Sequence, residues 1–151
     1  MNKKEFKKAL TKVLSEYGFE IKGNIFRAET SELIIVVATQ KSNYENSYYI
    51  NFGFLIKSLN PEILNPKDNQ CDVFGRFTLV ISGKKYTSIN YELINIDEFC
   101  DAFNKSVNEK IKPVLEFGLK KYFEINQLAI NTATPKAKQY LNNQKWSHSL
   151  G

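Results

Sequence analysis

Six polar residues on and beside two predicted strands are the strongest candidates for a binding site in this sequence. They are Lys41, Ser42, Tyr49, Asn51, Asp72 and Arg76. Asn51, Asp72 and Arg76 alternate with apolar neighbours, so their side chains share one sheet face if the strands are adjacent. An arginine can hold a carboxylate or a phosphate through two parallel hydrogen bonds. The pattern predicts a binding surface around Arg76, or alternatively an ion pair or buried polar network that only fixes strand register.

The residue types needed for nucleophilic catalysis are present but poorly placed. The sole histidine, His148, lies three residues from the C-terminus in a polar segment, where an imidazole is hard to hold within hydrogen-bond reach of a nucleophile. Cys100 falls within the apolar stripe of a predicted helix and reads as a small buried hydrophobe. We therefore expect no catalytic role for His148 or Cys100, and no Ser-His-Asp or Cys-His site.

Metal-binding and phosphate-binding motifs are also missing from the sequence. Cys71 and Cys100 do not have the spacing of a zinc site. Asp97, Glu98 and Asp101 could attract a cation, but they fall in the first turns of a predicted helix, where acidic residues complement the helix dipole. Neither common glycine-rich phosphate loop occurs. We expect no metal and no cofactor.

The composition is that of one packed domain. The chain has 151 residues, of which 42% are hydrophobic and 13% aromatic. A chain of this size buries roughly two-thirds of its unfolded surface, so it needs no disulfide or metal to be stable. We expect a single domain at residues 1–145, followed by a polar C-terminal tail at residues 146–151.

The net charge of +5 is concentrated toward the two ends of the chain. Residues 24–96, which contain the predicted strands, hold seven basic and seven acidic residues. Because a sheet that stacks single-stranded nucleic acid carries its positive charge on the strands, this distribution disfavours nucleic acid as the partner. The charged N-terminal segment lacks a signal-peptide core, and no apolar run approaches the roughly 18 residues of a membrane span. We expect a cytoplasmic protein that does not bind membranes.

Apolar spacing predicts a helix and then a run of strands. Asn2 can cap a helix that Gly18 ends, with apolar residues three and four positions apart between them. Alternation and β-branched runs predict strands at 25–29, 33–38, 48–56 and 71–81, with a proline-containing loop at 59–69. A turn at 82–85 then leads to a last strand that carries Ile89, Tyr91 and Leu93.

The period changes to helical from Ile96 onward. A first helix, capped by Asn95 or Asp97, reaches the break at Pro113, and a second helix continues through Phe123. A third helical segment begins at Thr134-Pro135 and continues through Leu141. This order predicts an α+β fold: an antiparallel sheet of about five strands in a meander, preceded by one helix and followed by two or three helices packed on one face.

The alternation also predicts which residues form the core. One sheet face should be buried under residues of the first helix and of the helix that begins at Ile96. The predicted sheet residues are Ile50, Phe52, Phe54, Val73, Phe77 and Leu79, and the predicted covering residues are Leu10, Leu14, Phe99, Phe103 and Val107.

The chain resembles the bacterial family of unknown function numbered 4304. The matching segments are the Phe6 to Leu14 helix with Tyr17-Gly18-Phe19, Lys22-Gly23-Asn24-Ile25-Phe26-Arg27, Gln40-Lys41-Ser42 with Tyr44, Tyr49-Ile50-Asn51-Phe52-Gly53, and Cys71-Asp72-Val73-Phe74-Gly75-Arg76-Phe77. They cover roughly the first half of the chain. Where the family has a tryptophan-bearing stretch, this chain has Lys85-Tyr86-Thr87-Ser88. The resemblance implies an intracellular bacterial α+β domain and no established activity.

These observations favour a non-catalytic module that binds another protein, with an immunity or defence-associated role. The partner could also be a second copy of the chain. The alternatives are an enzyme or small-ligand-binding protein with a polar site around Arg76, and a single-stranded nucleic-acid binder. A deep pocket at Arg76 would favour a small ligand, whereas a shallow face would favour a protein partner.

Overall fold

A computed structural model describes residues 1–150, and residues 1–144 with their side chains. It has the predicted α+β architecture, in which a helix precedes an antiparallel sheet and further helices follow it. The helices are α1 (Lys3–Ser15), α2 (Ile96–Lys110), α3 (Lys112–Phe117), α4 (Leu119–Ile125) and α5 (Pro135–Leu150). The strands are β1 (Glu20–Lys22), β2 (Ile25–Glu29), β3 (Leu33–Lys41), β4 (Tyr48–Ile56), β5 (Val73–Arg76), β6 (Leu79–Ile81), β7 (Lys84–Tyr86) and β8 (Ser88–Ile89).

The main sheet is an antiparallel meander in the order β1-β2-β3-β4-β5, and β8 pairs with the first residues of β4. Strands β6 and β7 form a separate hairpin. The turn of this hairpin places Ser82 at φ 51° and Gly83 at φ 77°, the left-handed conformation that tight two-residue hairpin turns require. Strand β4 pairs with β3 along one edge and with β5 and β8 along the other, and it carries Tyr49 and Asn51 of the candidate site.

The helix ends follow the sequence signals. The side chain of Asn2 accepts a hydrogen bond from the backbone of Glu5, and the Glu5 side chain accepts one from the backbone of Asn2, which is a capping box. Asn95, one of the two predicted caps, accepts from the backbone N–H groups of Asp97 and Glu98. Past the end of α1, Gly18 has φ 86°, as expected for a helix stop.

One face of the sheet forms the main core with the helices. All eleven predicted core residues are buried in this cluster. Phe52 lies at its centre, with ring centroids 4.9 Å from Phe77, 5.6 Å from Phe54 and 6.0 Å from Tyr122. The Phe52 ring also passes over Gly75, where an added Cβ would lie 2.6 Å from the Phe52 Cζ atom. Gly75 is thus a site of close approach between a side chain and the backbone.

A loop covers part of the opposite face. Residues 57–72 fold back over the sheet, and Cys71 packs there with the buried side chains of Ile34, Val36 and Leu55. A Cβ at Gly53 would lie 2.6 Å from the Cys71 Sγ atom. The loop can therefore pack closely on β4 because residue 53 has no side chain. The Arg27 Nε–H donates to the Leu64 carbonyl at 3.0 Å and attaches the loop to β2. The other end of this face, which carries Arg76, is exposed to solvent.

Several predicted boundaries are wrong. The strand predicted at 71–81 is interrupted after Arg76, so Leu79 lies in the separate hairpin rather than in the main sheet. The predicted last strand ends at Ile89, because Tyr91–Leu93 forms a 3-10 turn with Asn90 as its cap. The predicted second C-terminal helix is divided at Gly118, which has φ 88°, into α3 and α4.

The C-terminal part is only partly described. Helix α5 begins at Pro135, with the Thr134 hydroxyl accepting from the Ala137 N–H, and its backbone continues past the predicted end at Leu141. Side chains from residue 145 onward, including His148, lie outside the described residues, so the division at residues 145 and 146 stays a prediction. No helix in the described part of the chain is long and apolar enough to cross a membrane.

Candidate binding face around Arg76

The ladder between β4 and β5 places Arg76 on the open end of the sheet. Arg76 pairs with Asn51 across this ladder. On the other side of β4, Gln40 pairs with Tyr49 and Ala38 pairs with Asn51. Because side chains two residues apart share a face, Gln40, Tyr49, Asn51 and Arg76 all project from the face opposite the main core.

The Arg76 guanidinium is held by three neighbours. Its Nε–H donates to the Asn51 Oδ1 atom at 3.0 Å, and its Nη2 group donates to the Gln40 Oε1 atom at 3.2 Å. Its central carbon lies 3.9 Å from the centre of the Tyr49 ring, within cation–π distance. These contacts fix the arginine without a carboxylate.

Asn51 connects the arginine to the covering loop. Its side chain is only 8% exposed. The Asn51 Nδ2 group donates to Gln40 Oε1 at 2.9 Å and to Asp68 Oδ2 at 3.1 Å, so three of the four hydrogen bonds available to this amide are made. The only described carboxylate in the network, on Asp68, therefore reaches Arg76 through Asn51.

The guanidinium keeps unused donors. Arginine has five N–H groups, and two of them are used by Asn51 and Gln40. None of the salt bridges among the described residues involves Arg76. Beside it on β5, the Phe74 side chain is 51% exposed. The open end of this face thus combines a fixed positive charge with an exposed aromatic ring.

Lys41 and Ser42 do not join this cluster. Lys41 ends β3 one residue after Gln40 and so projects from the other face, where its Nζ atom lies 5.3 Å from the centre of the Tyr48 ring. The Ser42 hydroxyl is turned into the following loop, where it accepts from the Tyr44 and Glu45 N–H groups. Ser42 therefore shapes the turn between β3 and β4.

Asp72 does not pair with Arg76, which corrects the predicted cross-strand ion pair. Asp72 immediately precedes β5, at the end of the ladder opposite to Arg76. Its Oδ2 atom accepts from the Ile56 N–H at 2.8 Å and from the Asn60 amide at 3.0 Å. Since Asp72 is 5% exposed, this buried carboxylate secures the covering loop.

Sequence reasoning missed Gln40 and Asp68. Strand β3 was expected to end at Ala38, but it extends to Lys41. This extension puts Gln40 on the same face as Asn51. The signal in the sequence that could have placed Gln40 is the polar segment Gln40-Lys41-Ser42. This segment belongs to the family resemblance, and its first two residues continue β3. Asp68 reaches the site from the covering loop, and no strand periodicity could have placed it there.

The chain's cysteines are free thiols, Cys71 buried and Cys100 only partly buried, in contrast to the expected buried position of Cys100. Burial is the main cause that raises the pKa of the Cys71 thiol to about 12, with Asp72 and Asp68 acting in the same direction. Burial also raises the pKa of Cys100. Within the described residues, no three His, Cys, Asp or Glu side chains lie close enough together to hold a metal ion.

A second polar cluster joins the helices of the C-terminal part to the sheet. Glu32, in the turn between β2 and β3, accepts hydrogen bonds from the Leu119 N–H at 2.8 Å, the Tyr140 hydroxyl at 2.6 Å and the Gln144 amide at 3.3 Å. Burial first, and then this bond to Glu32, raises the pKa of Tyr140. The contacts give Glu32 a structural role in holding α4 and α5.

Five cavities among the described residues have volumes between 270 and 600 Å³, and Arg76 lines none of these five. One of them, of 480 Å³, lies beside Glu32 and Tyr140. Two others lie beside α1.

Comparison with known proteins places the chain in one family. Searches among curated proteins and among solved structures found no match. The model of the Domain of unknown function (DUF4304) matches residues 10–117. The match contains every strand of the described residues and reaches the end of α3, well beyond the first half of the chain that holds the resembling segments. The chain therefore belongs to the DUF4304 family of domains of unknown function.

Proposed function

We propose that this protein is a non-catalytic interaction module that binds an acidic surface of another protein through the open sheet face around Arg76. The observation that carries the proposal is the fixed but uncompensated guanidinium. Asn51, Gln40 and Tyr49 hold it in place. A pre-ordered arginine loses little side-chain entropy on binding, which is why arginines so often dominate protein interfaces.

The shape and composition of the face favour a protein over a small ligand. Tyrosine, phenylalanine and arginine are enriched at protein interfaces, and this face offers Tyr49, Phe74 and Arg76 together. Small-molecule sites are concave and bury most of their ligand, whereas Arg76 lines none of the five cavities. An exposed aromatic ring beside one fixed charge suits a partner that covers both groups.

The charge indicates what the partner presents. Arg76 keeps three N–H groups after its bonds to Asn51 and Gln40. A carboxylate is the protein group that best matches such a fork of donors. We therefore propose that an aspartate or glutamate of the partner binds at Arg76 and that an apolar side chain covers Phe74.

The wider setting completes the proposal. We propose a bacterial protein that works in the cytoplasm, where its two free thiols are stable. Its role is immunity or defence, in which the module blocks a partner by occupying its surface. A second copy of the chain is the alternative occupant, and the experiment below separates the two.

Site-specific photo-crosslinking tests the proposal. A photoreactive phenylalanine analogue replaces Phe74 in the full chain, expressed in the cells from which the gene comes. The matched control places the same analogue at Val80, which is 48% exposed but lies on the β6–β7 hairpin. We expect a protein adduct from position 74 that the Val80 control does not give, and that Arg76→Lys reduces.

The adduct's partner then decides between the outcomes. Titration calorimetry with the purified partner should show binding that Arg76→Lys weakens. An adduct between two copies of this chain would instead identify a homo-oligomer. Equal labelling from both positions, or a small ligand bound at Arg76 in place of a protein, would overturn the proposal.

A further inference from the structure

A semi-enclosed cavity of 330 Å³ lies between α1, the β1–β2 hairpin and the turn that contains Tyr91. Its volume is at the lower end of the range typical of small-molecule sites. Arg76 does not line it. The cavity is therefore separate from the proposed protein-binding face.

Three aromatic rings in mutual contact, of which two are stacked, form one wall of the cavity. The rings of Phe6 and Tyr91 stack with centroids 5.0 Å apart and an interplanar angle of 16°. Tyr48 lies 5.6 Å from Tyr91 and 6.0 Å from Phe6. Leu10 and Phe26, both buried, also contribute to the lining. Such a wall suits a flat apolar body, because aromatic rings pack in stacked and edge-to-face pairs.

The charge of the lining is positive. Lys3 and Lys7 line the cavity, and none of its twelve lining residues is an aspartate or glutamate. Neither lysine takes part in the salt bridges found among the described residues. Glu92 follows Tyr91 in the chain but does not line the cavity. The two ammonium groups are thus available to an anion that enters from solvent.

Two hydroxyl groups add directional polarity. None of the hydrogen bonds described for residues 1–144 involves the hydroxyl of Tyr48 or Tyr91, and both residues line the cavity. Burial first, and then Tyr48 and the Glu92 carboxylate, raise the pKa of Tyr91, so its hydroxyl keeps its proton and can donate it in a hydrogen bond. A tyrosine hydroxyl can donate to an anion at the end of an apolar surface. A ligand with a flat body and one anionic group would satisfy the rings, the hydroxyls and the lysines together.

We propose that this cavity binds a small organic anion with an aromatic body, such as an aryl carboxylate. The ring of the ligand packs against Phe6, Tyr48 and Tyr91. Its carboxylate lies at the mouth of the cavity and accepts hydrogen bonds from the ammonium groups of Lys3 and Lys7. This site is independent of the partner-binding face around Arg76.

Titration with 2-naphthoate tests the proposal, with 2-naphthalenemethanol as the uncharged analogue. Binding to the full chain is followed by calorimetry and by amide chemical shifts in two-dimensional NMR. We expect naphthoate to bind at least about tenfold more tightly than the alcohol, because a charge-assisted hydrogen bond is about twice as strong as a neutral one. The largest shifts should fall on α1 and the β1–β2 hairpin.

Matched charge variants locate the anion. The double variant Lys3→Gln/Lys7→Gln should lose about tenfold in naphthoate affinity. Lys12→Gln is the control, since Lys12 is exposed on the same helix but does not line the cavity. It should change the affinity by less than about twofold. Both variants replace exposed side chains and should keep the melting temperature of the wild type.

Four results would overturn the proposal. One is the absence of naphthoate binding at concentrations up to about 5 mM. Another is equal affinity for the alcohol, which would make the site a nonspecific apolar gap. A third is an equal loss in Lys12→Gln, which would indicate general attraction to the lysine-rich helix. Chemical shifts confined to other elements are the fourth.

Discussion

The guanidinium carbon of Arg76 lies 3.9 Å from the centre of the Tyr49 ring, two residues along β4 from the strand partner of Arg76. This contact orders the arginine without neutralising it. An ion pair would order it too, but would use the charge that a partner needs. A cation–π contact of this exposed kind contributes about 0.5–1 kcal/mol, so the arrangement holds the side chain more than it stabilises the fold.

Arg76→Lys should weaken partner binding by about 2 kcal/mol or more while the melting temperature stays nearly unchanged. A lysine keeps the charge but lacks the planar fork held by Asn51 and Gln40. Titration calorimetry against the crosslinked partner measures the change. Lys85→Gln is the control, because Lys85 is an exposed cation on the separate β6–β7 hairpin. Unchanged affinity in Arg76→Lys would show that the arginine is not the anchor.

Phe52→Ala should reduce the free energy of unfolding by about 3–5 kcal/mol. The Phe52 ring is 2% exposed and contacts three other aromatic rings at the centre of the core. Urea denaturation followed by circular dichroism measures the loss. A loss below about 1 kcal/mol would mean that the core can close around the missing ring, against what this packing implies.

Gly75→Ala should cost about 1–3 kcal/mol, because the new methyl would overlap the Phe52 ring in a filled core. The conformation of Gly75 is not the reason, since its φ is not positive. Phe52→Leu removes the clashing ring atom, so Gly75→Ala should be less harmful in that background. Additive effects in the double-mutant cycle would contradict a direct clash.

Asp72→Ala should lower the free energy of unfolding by about 1–3 kcal/mol, since it leaves the buried Ile56 N–H without its acceptor. Asp72→Asn should lose less, because the amide oxygen can still accept one hydrogen bond. Asp101→Ala, at an exposed position on α2, should stay within about 0.5 kcal/mol of the wild type. Urea denaturation compares the three variants, and equal effects in Asp72→Ala and Asp101→Ala would rule out the buried role.

The raised pKa of Cys71 predicts a specific loss of stability in alkaline solution. In the unfolded chain the thiol ionises near its ordinary pKa of 9.0, whereas in the folded protein it stays protonated to about 12. The unfolded state therefore binds fewer protons between these values, and stability falls by up to about 1.4 kcal/mol per pH unit. Below pH 9 the thiol is protonated in both states, so the ionisation of Cys71 costs the folded protein no stability there.

Comparison with Cys71→Ala isolates this effect from the other groups that titrate at high pH. Urea denaturation at pH 8 and at pH 10.5 gives the free energy of unfolding of both proteins. The wild type should lose more than the variant between the two pH values. Parallel losses would show that the folded thiol ionises as readily as the unfolded one.

The sequence predicted the layers of this fold because periodicity reports on burial. The alternation in β4 identified both the strand and its buried side chains, including Phe52 and Phe54. The spacing of Leu10 and Leu14 identified the covering helix in the same way. Periodicity reports less well on where pairing stops. Just after the break at Arg76, the Thr78 carbonyl accepts a hydrogen bond from Ser106 of α2, and in the 3-10 turn the Tyr91 carbonyl accepts one from the Met1 ammonium group, so both places contact distant parts of the chain.

Periodicity also explains why only part of the candidate site could be predicted from the sequence. Tyr49, Asn51 and Arg76 lie in regular strands, so parity alone could place them on one face. Asp72 obeys the same parity but lies beyond the paired region, where the covering loop decides its contacts. Asp68 comes from that loop and has no periodic signal. The family match covers the region that contains the site, but it assigns no activity to it.

The loop at 57–72 shields an apolar part of the sheet and so affects how readily the protein aggregates. Beneath it lie the adjacent buried apolar side chains of Ile34 and Val36 on β3 and of Leu55 on β4. If the loop detached while the sheet stayed intact, a flat apolar β surface would be exposed, which is a typical starting point for aggregation. The hydrogen bonds that attach this loop to the sheet, from Ile56 to Asp72 and from Arg27 to Leu64, therefore protect solubility as well as the native fold.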